Sequence, residues 1–197
     1  VGEPSRAVER LWDMMVIFLT KAVMGVAQYA ISAVDLALWD LKGKLLRTPV
    51  YELIGGPVRE DIRCYATGND TDWHLETGFT GSKLACPYGP ADGSSALDRN
   101  EAFIAERRAL VGPATDLMVD CWMAFDLEFA VRFAQRMAPY QLRWIEDCLA
   151  PDDMDGQTLL RTRLPGQILA TGEHWYTLAP FAQAAARHNV DIFQPDI

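Results

Sequence analysis

Three acidic residues stand at the ends of short apolar runs: Asp120 after Leu117-Met118-Val119, Glu146 after Leu142-Arg143-Trp144-Ile145, and Glu173 after Ile168-Leu169-Ala170-Thr171-Gly172. Asp120 and Glu146 lie 26 residues apart, and Glu146 and Glu173 lie 27 apart, each the length of one strand-plus-helix unit. If the runs are parallel strands of one barrel, their C-terminal ends open on a single face, where barrel enzymes build their active sites. Three carboxylates gathered there repel one another unless a cation sits between them. An all-oxygen donor set suits Mg²⁺, which keeps room for water or substrate oxygens. Taken singly, an acid at a strand end can equally be a turn former or a helix cap; the repeated spacing is what favours a metal.

The elements around these acids repeat. Before them, Val26, Tyr29, Ala30, Ala33, Val34, Ala37, Leu38 and Leu41 recur at three- and four-residue steps, predicting an amphipathic helix over 25–44 whose end Gly43 loosens. Gly55-Gly56-Pro57 then stops the chain, so residues 1–57 read as a leading helical segment and 58–197 as a second domain. Beyond the boundary, strands are expected at 62–66, 79–85, 117–119, 142–145, 168–170 and 191–193. Helices are expected at about 99–111, after an Asp126 cap, near 157–162 and over 178–187. Repeated βα units imply a parallel sheet with helices outside it, either a barrel or an open doubly wound sheet. No G-x-G-x-x-G follows the first strand and no G-x-x-x-x-G-K-[ST] occurs, which argues against a nucleotide-binding domain.

A formal net charge of -9 argues against a nucleic-acid surface. The apolar run from Met14 to Leu19 is too short for a bilayer span, so no membrane partner is expected. The four cysteines, Cys64, Cys86, Cys121 and Cys148, form no C-x-x-C pair and read as buried small hydrophobes in a reducing cytoplasm. His74 and His188 read as surface residues. His174, next to Glu173, reads either as a polar site group or as a packed, hydrogen-bonded core histidine. Lys83 would hold a substrate carboxylate or answer the acidic cluster.

Several motifs carry a resemblance. Ala37-Leu38-Trp39-Asp40-Leu41-Lys42-Gly43-Lys44, then Pro49-Val50-Tyr51 and Leu53-Ile54-Gly55-Gly56, resemble the end of the capping domain in the mandelate-racemase branch of the enolase superfamily. Asp116 to Trp122, Trp144-Ile145-Glu146-Asp147, Thr171-Gly172-Glu173-His174 and Gln194-Pro195-Asp196 resemble its barrel motifs in the same order. Within that branch, Gly78-Phe79-Thr80-Gly81-Ser82-Lys83, with Gly89-Pro90-Ala91-Asp92-Gly93 after it, is most similar to the L-rhamnonate dehydratase family.

The resemblance implies an α/β fold: the superfamily's modified (β/α)₈ TIM-type barrel, here incomplete and truncated before closure, preceded by helices of an α+β capping domain. It further implies Mg²⁺ bound by Asp120, Glu146 and Glu173, and a small-molecule acid sugar as substrate. The expected reaction is removal of the proton next to a carboxylate and loss of the 3-hydroxyl, giving a 2-keto-3-deoxy acid. Asp196 matches the aspartate that supports a base histidine one strand later, beyond Ile197; a simple strand-end turn former is the other reading. His174 is the second candidate for a catalytic role. Racemases and cycloisomerases of the branch carry Lys-x-Lys on the second barrel strand, whereas Lys83-Leu84-Ala85 lacks the second lysine, which argues against two-base racemisation. A homo-oligomer is the family expectation. An epimerase or cycloisomerase of the same superfamily, or a non-catalytic barrel fragment, are the competing readings.

Overall fold

A computed structural model of the chain describes residue 4 and residues 6–18 and 25–196. They form two compact units, divided between Ile62 and Arg63. The first contains α1 (Val8–Phe18), α2 (Val26–Leu46) and the single turn α3 (Val50–Leu53). Gly43 does not end α2, which runs on to Leu46 and closes at Arg47 in the left-handed region. Close approach explains the glycine: a Cβ there would lie 2.9 Å from the Thr48 carbonyl oxygen. The facing sides of α1 and α2 leave an open apolar groove lined by Leu11, Met14, Phe18, Ile31, Val34 and Leu38.

In the second unit six parallel strands lie side by side in chain order. They are β1 (Ala66–Thr67), β2 (Gly81–Ala85), β3 (Asp116–Asp120), β4 (Ile145–Glu146), β5 (Leu169–Thr171) and β6 (Ile192–Phe193). Between them run α4 (Thr71–Glu76), α5 (Ala96–Val111), α6 (Leu127–Met137), α7 (Met154–Arg163) and α8 (Leu178–Arg187). The two-residue alternation of a strand sorts the side chains. Leu84, Leu117, Val119, Ile145 and Leu169 join Ile104, Phe133, Met137 and Leu160 in one core cluster. On β2, β3 and β4 the residues of opposite parity, Lys83, Asp120 and Glu146, are left to the other face.

Helix ends are fixed locally. Asp126 caps α6 by accepting from the Phe129 N–H at 2.8 Å, and Asp153 caps α7 by accepting from the Gly156 N–H at 2.8 Å. At the opposite end of the strands from the acids, the Arg108 guanidinium donates to four backbone carbonyls. These are Tyr140 (2.9 Å), Gly112 (3.0 Å), Thr115 (2.8 Å) and Gln141 (3.1 Å).

Some expectations need correcting. His74 is not a surface residue: it is buried on α4 and shares a 2.7 Å hydrogen bond between Nδ1 and the Ser82 hydroxyl, because Ser82 points from β2 into the helical layer. Cys64 is exposed rather than buried, since the segment it lies in precedes β1, which begins only at Ala66. Cys121 and Cys148 are core residues as expected, and burial, with Cys148 and Cys86 beside it, pushes the Cys121 thiol well up.

Candidate metal centre

Register brings the first two acids together. Asp120 and Glu146 are the last residues of β3 and β4 and are direct partners in the parallel ladder. Glu146 is completely buried, and its Oε2 accepts a 2.8 Å hydrogen bond from the indole N–H of Trp144, two residues earlier on the same face. Trp144 is itself braced edge-on by Tyr65, with ring centroids 5.3 Å apart. Asp120 Oδ1 accepts from the backbone N–H of Trp122 at 2.9 Å. That bond belongs to a tight turn in which Trp122 and Met123 both have positive φ, 45° and 62°. Non-glycine residues hold such angles only where the surroundings fix them.

Lys83 lies between the two carboxylates. Its ammonium is 3.3 Å from Asp120 Oδ2 and hydrogen-bonded to Glu146 Oε1. Burial pulls the Lys83 pKa down, but the hydrogen bond and charge of Glu146, helped by Asp120, outweigh it and leave the group above its usual value. It is therefore a cation. Of the two sequence readings of this lysine, the described contacts are those of the answer to the acidic cluster.

The third acid sits differently. Glu173 follows β5 by two residues, past Gly172, and its carboxylate meets His174 at 3.1 Å. His174 Nε2 also stands 3.5 Å from Asp147 Oδ2. Asp147, Glu173 and His174 are the one group of three such side chains, among the described residues, whose ligand atoms all lie within 4.8 Å of one another. Asp147 is 3% exposed and accepts from the Thr171 hydroxyl at 2.5 Å through its other oxygen. Burial above all, then the charges of Glu173 and Glu146, raise its pKa to about 6 against the Thr171 bond and His174. Asp147 Oδ2 and His174 Nε2 are buried and make no aligned hydrogen bond.

The three expected ligands thus stand on one rim but in two groups: Asp120 with Glu146 around Lys83, and Glu173 with Asp147 and His174. Asp196 lies three residues past β6 and is exposed. Its segment is tied to the same rim by the Gln194 N–H donating to the Thr171 carbonyl at 3.1 Å. Asp147 and Trp144 had no part of their own in the sequence reading. Two consecutive acids at a strand end, and a tryptophan two residues before the first of them, were the available signals. The donor set fits a hard divalent cation: Asp120, Glu146, Asp147 and Glu173 gather in the two groups, one pair already surrounds a cationic group, and Asp147 Oδ2 and His174 Nε2 in the second group are buried without an aligned hydrogen bond.

Comparison with known proteins gives the family. Residues 71–197 match the family described as Enolase C-terminal domain-like, and residues 1–55 match Mandelate racemase / muconate lactonizing enzyme, N-terminal domain. The chain is 45% identical over 192 residues to an L-rhamnonate dehydratase of Saccharopolyspora erythraea, covering 96% of this chain and 49% of that protein. It superposes on the crystal structure of rhamnonate dehydratase from Gibberella zeae complexed with Mg with a TM-score of 0.96 at 36% identity, covering 100% of this chain and 48% of that one. A 3,6-anhydro-D-galactonate cycloisomerase from Zobellia galactanivorans matches with a TM-score of 0.88 at 32% identity, over 100% of this chain and 56% of the other. The chain spans about half the length of these relatives. With both family matches falling in order along it and a parallel βα sheet carrying acids at its strand ends, the chain belongs to the mandelate racemase and muconate lactonizing enzyme branch of the enolase superfamily.

Proposed function

We propose that the protein to which this chain belongs is a Mg²⁺-dependent acid-sugar dehydratase acting on L-rhamnonate or a closely related six-carbon or 6-deoxy aldonate. The observation that carries this reading is the in-register pair Asp120 and Glu146 at adjacent strand ends, with Glu173 on the same rim. The similarity to rhamnonate dehydratases supports the choice of substrate. Asp120, Glu146 and Glu173 would hold the metal, Glu173 by turning from His174 toward the other two. Bound there, Mg²⁺ would offset, as a Lewis acid, the charge that gathers on two oxygens when the proton next to a carboxylate leaves.

The chain's own residues then divide the remaining work. Trp144 and the Trp122 N–H each fix one oxygen of a ligand carboxylate, so the other oxygens keep their direction. His174, on the rim and only partly exposed, would meet a substrate oxygen. Asp196 would accept from the ring N–H of the base histidine, fixing its tautomer and raising its basicity. That base takes the proton from C2, the C3 hydroxyl leaves as water, and a 2-keto-3-deoxy acid results. Ala85 is in register with Asp120, so no lysine stands at that position to act as a second base. Residues 1–57 are the helical end of the capping domain on this reading, and 58–197 the first strands of the barrel. The four cysteines, which form no disulfide with one another, suit a reducing, cytoplasmic setting; among the described residues no helix is long and apolar enough to cross a membrane.

The test is turnover of the full-length protein with Mg²⁺ across a panel of acid sugars. Keto-acid formation from L-rhamnonate is expected, with no racemisation of mandelate. Exchange of the α-proton in both enantiomers of a substrate without loss of water would overturn the reading in favour of a racemase.

A further inference from the structure

Charge pairing in the candidate centre points to more than a ligand set. Glu146 and Asp120 each have one oxygen held by a neutral donor, the Trp144 indole N–H at 2.8 Å and the Trp122 backbone N–H at 2.9 Å. Their remaining oxygens converge on one ammonium, that of Lys83, itself only 6% exposed. A fully buried carboxylate left without counter-charge is costly, so without a metal Glu146 depends on this lysine. A dication entering between the same two oxygens meets the ammonium at contact distance, where like charges repel strongly because little water screens them.

We propose that Lys83 is the resident counter-ion of the Asp120–Glu146 pair and that a divalent cation binds there in exchange for the lysine's contacts. The lysine then sets metal affinity by competing for the same oxygens, and holds the site together when no metal is present. This rests on the metal reading above and adds to it a competitor inside the fold. Two features support exchange over mere crowding. Lys83 hangs on β2, where its register partner is Met118, two residues short of Asp120, so its flexible stem reaches up to the rim from below. The bonds that aim the carboxylates come from Trp144 and Trp122, so their direction survives when the ammonium withdraws.

The experiment is a Mg²⁺ titration of chelator-stripped full-length protein by calorimetry, with thermal melts, for wild type, Lys83→Met, Lys83→Gln and Asp120→Asn. Both Lys83 variants are expected to melt lower without metal, to bind Mg²⁺ on the order of tenfold more tightly, and to recover their melting temperature when it is bound. Unchanged or weaker affinity in a folded Lys83 variant overturns the proposal. If neither variant folds, the ¹⁵Nζ resonance of Lys83 in wild type decides: it should change on saturation with Mg²⁺, and an unperturbed resonance overturns the exchange. Loss of binding in Asp120→Asn with unchanged affinity in Lys83→Met removes this proposal alone. Wild-type binding by Asp120→Asn removes the metal reading, and this proposal with it.

Discussion

Asp196 and Glu146 occupy the same rim for different reasons, and substitution should separate them. Asp196→Asn is expected to cut kcat while leaving the Mg²⁺ Kd near wild type, because the work proposed for it is to orient a base. Where an orienting aspartate is replaced in a catalytic triad the loss is about 10⁴-fold. Glu146→Gln should weaken Mg²⁺ binding and turnover together. Near-normal kcat in Asp196→Asn would move the base role to His174. His74 offers a purely structural contrast: replacing it by leucine leaves the buried Ser82 hydroxyl without its 2.7 Å partner. Such an orphan costs about 1–3 kcal/mol, read as a lower urea midpoint with unchanged Mg²⁺ affinity.

Among the elements, the turn after β5 is the most demanding. Gly172 has φ 134°, and a Cβ there would meet Phe181 Cε1 at 2.9 Å and the Gln194 backbone nitrogen at 3.1 Å. Gly172→Ala should therefore lose about 1–3 kcal/mol of stability and, by displacing the neighbouring Glu173, weaken Mg²⁺ binding as well. A calorimetric titration with a melt on the same sample checks both effects. The alternation of βα units, the Asp126 cap and the placement of Asp120 and Glu146 at strand ends were all legible in the sequence, because apolar runs and cap residues act locally. The grouping of the acids was not. It depends on which side chains point across neighbouring strands, so the pairing of Glu173 with Asp147 and His174, and the burial of His74 under Ser82, emerge only from register. Gly43 reads from sequence as loosening a helix end for the same reason: the close approach of Thr48 that demands a glycine is a tertiary fact.

For the whole molecule, the first unit carries a concentration of exposed apolar side chains, Phe18, Val26, Val34 and Ile54 among them. A groove of this kind is normally covered. The 197-residue chain produced alone is expected to self-associate, visible as a concentration-dependent shift in sedimentation. Phe18→Ser combined with Val34→Ser should shift the equilibrium toward the monomer, and a monodisperse monomer of the unmodified chain at high concentration would contradict the expectation. The second unit presents the opposite face of the same design question. Its acids sit at one end of the strands, while Arg108 clamps four backbone carbonyls at the other. A guanidinium does not lose its proton in any accessible pH range, so this lower fastening holds whatever the charge state of the rim above. Substitutions in the loops at the acid end therefore leave the footing of the strands in place, because Arg108 fastens it independently of them.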